Sequence, residues 1–207
     1  MKSAFWLVVA IVTAASAGSH AARAPRQDPP NAHQDAIALL KKDQAAREAK
    51  LALLRAKAQQ RASDDSRVYS NQELRDIEMR YQATRLAGIL TARDAGPGLQ
   101  ELVEKYPRSN RAGCAVLELA RLSSGNERER YLKRAIADHD DAWFEDGAQV
   151  GPLARALLAT YYAELDRFDE AERLATEIVT RYPGSIDSGG GSLDDVLPAL
   201  KLLRPPK

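Results

Sequence analysis

The sequence predicts an all-α protein, a short helix–turn–helix solenoid with an N-terminal helical extension. Three observations carry that expectation. Aromatic residues make up only 6% of the chain while alanine and leucine abound, a composition that favours packed helices over a β-sandwich. A tyrosine–proline turn, Tyr106-Pro107-Arg108-Ser109, returns as Tyr182-Pro183-Gly184-Ser185. Apolar residues recur at i, i+3, i+4 and i+7 in Ala112, Ala115, Val116 and Leu119, and again from Ala171 onward, as on one face of a helix.

The N-terminus reads as an export signal over residues 1–17. Lys2 supplies a positive start and Ala4 to Ala15 is almost wholly apolar. Ala15-Ser16-Ala17 offers the small residues a signal peptidase accepts, with a second cut available after Ala21. The apolar run is shorter than the roughly 20 residues a spanning helix needs, so no integral span is expected once the signal is cleaved. No cysteine follows the run, which removes a lipid anchor there, and the expected location is secreted or periplasmic. Residues 18–35 carry Pro29-Pro30 and no periodic apolar face, as in a disordered linker.

Residues 36–63 read as a basic helical segment. Ile37, Leu40, Leu51, Leu54 and Ala58 share a heptad stripe, which Gln44 and Arg47 interrupt, so any coiled coil is incomplete. Lys41, Lys42, Arg47, Lys50, Arg55, Lys57 and Arg61 face only Asp43 and Glu48 in this stretch. The expected role of residues 36–62 is self-association or docking, with the fold intact in their absence; a solvated face is the plainer reading of the charge. The whole chain carries a formal charge of +1, so no global field argues for nucleic acid.

Residues 70–186 form the repeat region. Ser70 and Glu73 fit a capping box. The helix they open has Leu74, Ile77, Tyr81, Leu86 and Leu90 as its apolar residues, and Ala95-Gly96-Pro97-Gly98 is expected to end it. Asn126 and Glu129 read as a second cap, before Tyr131, Leu132, Ala135 and Ile136. The last helix aligns Ala171, Leu174, Ala175, Ile178, Val179 and Tyr182 on one unbroken apolar face. The two Tyr-Pro turns imply two units of 38 residues, longer than the 34 of a known helix-pair class, and the excess is assigned to Asp140–Gly151. Residues 187–207 read as a Gly-rich hinge and a C-terminal capping segment.

Pro152 to Ser185 resembles a tetratricopeptide repeat without gaps. Leu158, Ala159, Tyr162, Ala171 and Pro183 fall on the family's characteristic positions. Arg155 stands where tryptophan is usual, Asp166 replaces the turn glycine, Ala175 an aromatic and Ile178 an alanine. The order of export signal, basic helix and C-terminal repeats is also similar to periplasmic coordinators of the Tol–Pal type. The resemblance implies a protein or peptide partner in the envelope, bound on the face of first helices where Thr160 and Glu164 lie. Ala156 and Thr160 occupy the positions where the family's carboxylate clamp needs lysine and asparagine, so capture of a peptide C-terminus is not expected.

Catalytic chemistry finds little footing, and no enzyme, cofactor or metal site is expected. Of the histidines only His139 falls in the folded region, and Cys114 sits among small residues as a packing group. The unusual feature is an acidic loop, Asp138, Asp140, Asp141, Glu145 and Asp146 around Trp143-Phe144. Its aromatics either plug a gap between helix pairs or anchor a partner, so Trp143, Phe144 and Asp146 join Thr160 and Glu164 as candidate partner-binding residues. The rival reading is an envelope or cell-wall hydrolase using acids of the 138–146 loop, which requires two of them at working separation.

Overall fold

The computed structural model describes residues 32–90 and 92–205, excepting the side chains of residues 32, 33, 36 and 86–94. The signal sequence, most of the linker, and the side chains of Leu86 and Leu90 lie outside the described residues. The chain divides into two units, residues 1–42 and 43–207. Described in the first are the opening turns of α1 (Ala32–Asp64), where Ile37, Leu39 and Leu40 are exposed. The helix thus begins at Ala32, within the stretch expected to be linker.

The second unit holds the rest of α1, then α2 (Asn71–Leu90), α3 (Ala92–Lys105), α4 (Asn110–Leu122), α5 (Gly125–Asp138), α6 (Val150–Glu164), α7 (Phe168–Arg181) and α8 (Val196–Leu203). Its fold is all-α and solenoid-like: from α2 onward each helix packs on the next. The first helices of successive pairs also meet, α2 on α4, α4 on α6 and α6 on α8. One continuous core results, because each apolar stripe is buried only when its neighbour stacks on it.

Ser70 and Glu73 do cap α2. The Ser70 N–H donates to Glu73 Oε2 at 2.8 Å, and the Glu73 N–H donates to Ser70 Oγ at 3.4 Å. Ala95 to Gly98, by contrast, do not end α2; they lie inside α3. A Cβ on Gly98 would stand 2.6 Å from Thr84 Cγ2, so this glycine lets α3 close on α2. Pro97, the sixth residue of that helix, forfeits one backbone bond there. Ser124, not Asn126, is the N-cap of α5, and Glu129 instead accepts from the Tyr162 hydroxyl at 2.8 Å. In α7 the buried face is Ala171, Leu174, Ala175 and Ile178; Val179 is exposed and Tyr182 half-buried.

Three equivalent turns close the second helices. The N–H groups of Tyr106, His139 and Tyr182 each donate to the carbonyl four residues back, and their own carbonyls accept from Ser109, Ala142 and Ser185. The turns therefore recur at 33 and then 43 residues rather than at equal intervals. The extra length follows Ala142, within the stretch expected. A second copy of that insertion follows Ser185, in place of the hinge expected of the glycine run. Phe144 N–H to Ala148 O, Gly147 N–H to Phe144 O and Val150 N–H to Ala142 O reappear 43 residues on, as Asp187 to Gly191, Gly190 to Asp187 and Leu193 to Ser185. Gly147 and Gly190 take φ of 95° and 82° at the same place. The Asp187 carboxylate also accepts from Gly189 and Gly191, which gives the glycine run a defined turn.

The second half of α1 is a strap across these turns rather than a separable arm. Leu54 and Ala58 are buried. Lys50 lies beside Gly184, Leu54 beside Gly147, and Arg61 ion-pairs with Asp141 at 2.9 Å and Asp65 at 2.6 Å. The expectation that residues 36–62 leave the fold intact when removed does not survive this packing.

Candidate interaction surface

The acidic loop is held down by the start of α4. Asn110 clasps the backbone of Trp143, accepting from its N–H at 2.8 Å and donating to its carbonyl at 2.9 Å. The Cys114 thiol donates to the same carbonyl at 3.3 Å. Asn110 is itself fixed by Asp65, which accepts from its N–H at 2.8 Å. Burial pushes the Cys114 thiol up to about 12, so it stays protonated at neutral pH and serves as a donor and packing group.

Phe144 is buried in the core cluster and Trp143 is half-buried. The guanidinium of Arg121 lies 5.7 Å from the Phe144 ring, and Arg111 pairs with both Glu78 of α2 and Glu145. Asn110, Arg111, Cys114 and Arg121 belong to one side of α4, so the loop covers that side. Phe144 acts as the plug; Trp143 alone of the two aromatics keeps a partly open ring.

The loop acids have partners. Asp140 pairs with Arg155 and accepts from the Tyr182 hydroxyl, Asp141 pairs with Arg61, and Glu145 with Arg111. Asp146 accepts from the Ala148 N–H at 2.9 Å, and Asp138 lies 3.8 Å from Arg134. Arg155, in the tryptophan position of the resembled repeat, is 2% exposed and bridges Asp140 to Glu177 at 2.9 Å, with Tyr182 beneath it. This cluster around a buried arginine was legible only as an arginine in an otherwise apolar helix. No hydrogen bond joins two of these acids among the described residues, and each reaches an arginine or a backbone N–H instead. Neither does any group of three potential metal ligands appear among them.

Thr160 and Glu164 are exposed on α6, one turn apart, with half-buried Leu157 and Tyr161 beside them. Thr160 spends its hydroxyl on the Ala156 carbonyl at 3.0 Å. Neither residue shares a hydrogen bond or ion pair with Trp143, Phe144 or Asp146 among the described residues. The candidates thus fall into two groups, a loop sealed onto α4 and an open stripe on α6. The two loop copies explain the difference. Phe144 covers the side of α4, whereas its counterpart 43 residues on is Asp187, with no apolar ring to lay over α6.

No protein-family profile, curated protein or solved structure matches this chain. Among the described residues, no helix is long and apolar enough to cross a membrane.

Proposed function

We propose that this chain is an exported, tetratricopeptide-like scaffold of the cell envelope that binds a protein or peptide along α6. The observation that carries the reading is the open stripe of Leu157, Thr160, Tyr161 and Glu164 on a first helix whose neighbour α4 is sealed by the Phe144 loop. Solenoids built of helix pairs use such faces because stacking leaves one side of each helix free for a ligand. The pairing of the loop acids with arginines and backbone commits their oxygens to holding the loop in place, which speaks for scaffolding over hydrolysis. Export rests on the apolar run and its small-residue cleavage site, and self-association through residues 36–62 rests on the exposed start of α1.

A photo-crosslinking amino acid placed at Thr160 or Glu164 in the full chain, expressed in cells, tests the binding face. Adducts at 160 and 164, with none at the buried position 144, are the expected result. Adducts at 144 alone would move the site to the loop. N-terminal sequencing of the envelope fraction tests export, with Gly18 or Ala22 expected as the first residue.

A further inference from the structure

A second surface lies on the opposite kind of helix. Both α3 and α5 pack on α4, and a cleft of about 360 Å³ opens between them. That volume is at the lower end of what ligand sites occupy. Its apolar floor is Val103, Leu119 and Tyr131. Arg130 and Arg134 form one wall, and Gln100 and Glu104 form the other.

We propose that this cleft takes an acidic segment of a partner polypeptide. Arg130 and Arg134 sit one turn apart on α5, where like charges repel unless an anion lies between them. Each pairs only loosely within its own helix, Arg130 with Glu127 at 3.6 Å and Arg134 with Asp138 at 3.8 Å, both too long for a hydrogen bond, and both arginines are exposed. Both guanidiniums line the cleft, Arg130 5.1 Å from the Tyr131 ring, with donors that no side chain hydrogen-bonds among the described residues, and a carboxylate satisfies such forks in a planar, bidentate way. Glu104 decides between anions. It would repel a free phosphate, which brings no N–H group to offset the approach. A polypeptide presents its carboxylate to the arginines and its own backbone N–H groups to Glu104. The Gln100 amide reaches the Tyr131 hydroxyl across the cleft through a 3.2 Å hydrogen bond, long enough to be exchanged for a bond to a peptide carbonyl. The inference rests on the reading of the chain as an interaction module but uses second helices, not the α6 stripe.

Fluorescence anisotropy of the full chain with a labelled, end-capped peptide of alternating glutamate and leucine tests it. Binding is expected, weakened on the order of tenfold when glutamine replaces glutamate and again in the Arg130→Glu/Arg134→Glu variant. Inorganic phosphate should not compete. Circular dichroism confirms that the variant is folded, and Arg130→Gln/Arg134→Gln replaces it if it is not. Absence of binding overturns the proposal, as does phosphate competition. So does binding that survives both arginine variants, and a further fall in Lys41→Glu/Lys42→Glu would place the peptide on α1. Any of these outcomes leaves crosslinking at Thr160 and Glu164 unaffected, so failure here is distinct from failure of the scaffold reading.

Discussion

Arg155 shows how much one side chain carries in this fold. It is a buried charge satisfied by Asp140 and Glu177 and stacked on Tyr182. Its removal leaves the partly buried Asp140 and Glu177 with the more distant Arg181 as their remaining cation and opens a cavity where the guanidinium lay. Arg155→Ala should destabilise the chain by about 3 kcal/mol. Arg155→Lys should recover less than half of that, because an ammonium cannot serve two carboxylates as a fork does. Urea midpoints of the three proteins check both statements. His139 makes a second case. It occupies the turn position that tyrosine fills at 106 and 182, and burial lowers its imidazole below the ordinary value, with Arg134 and Arg61 acting in the same direction against Asp138 and Asp141. The unfolded chain then takes up a proton at a higher pH than the folded chain. Stability from this group is complete above the unfolded value of about 6.5 and is lost as pH falls below it toward the lower folded value. Thermal melts from pH 8 to 5 should show that loss, and His139→Gln should flatten it. Gly113 is the third. A Cβ there would lie 2.4 Å from Ala142 Cβ and 3.0 Å from His139 Cβ. Gly113→Ala should lift the start of the acidic loop and shift Trp143 emission to the red, read in a Trp6→Phe background so that Trp143 is the sole reporter.

At the scale of elements, α1 is the one whose role changed most between sequence and structure. Its heptad stripe is broken at Gln44 and Arg47, and the break marks a division of labour. Ile37, Leu39 and Leu40 are exposed before it, whereas Leu54 and Ala58 are buried after it. Periodicity revealed the interruption but not that the second half has a ready-made groove among the turns at Arg108, Gly147 and Gly184. A chain lacking residues 1–42 should therefore melt as the longer chain does. Leu54→Ala should cost about 2 kcal/mol, the low end for a leucine at the edge of a core. Calorimetry of both proteins decides whether the strap is structural. The two insertions are the other lesson. Their sequences, Trp143 to Gln149 and Ile186 to Ser192, share almost nothing beyond a glycine at 147 and 190, so the repeat is visible only in its backbone hydrogen bonds.

For the molecule as a whole, the continuous stacking of α2 through α8 predicts that damage at one end spreads. Leu174 lies in the middle of the buried face of α7, between α6 and α8. Leu174→Asp places an unpaired carboxylate in that core at a cost of several kcal/mol, a large share of the roughly 5–15 kcal/mol that holds an ordinary domain. Far-ultraviolet circular dichroism should show helix lost well beyond α7 at room temperature. A melting curve like that of the parent chain would mean that the face is not a shared core.

The sequence by itself determined the all-α class and the place of the first insertion. Those features follow from local physics: apolar spacing, the Ser70–Glu73 cap, and prolines that end helices at Tyr106 and Tyr182. It also singled out the acidic loop, Thr160 and Glu164 as surface of interest. Only the tertiary structure decided which were open, because exposure depends on what a distant segment lays over a helix. Phe144 lies over α4 while Asp187 at the matching position brings no ring to α6, where Thr160 and Glu164 stay exposed, and the partners of the loop acids come from residues as far apart as Arg61, Arg111 and Arg155. The cleft between α3 and α5 was equally hidden. Its walls lie about 30 residues apart in the chain, and they face each other only because both helices pack on α4.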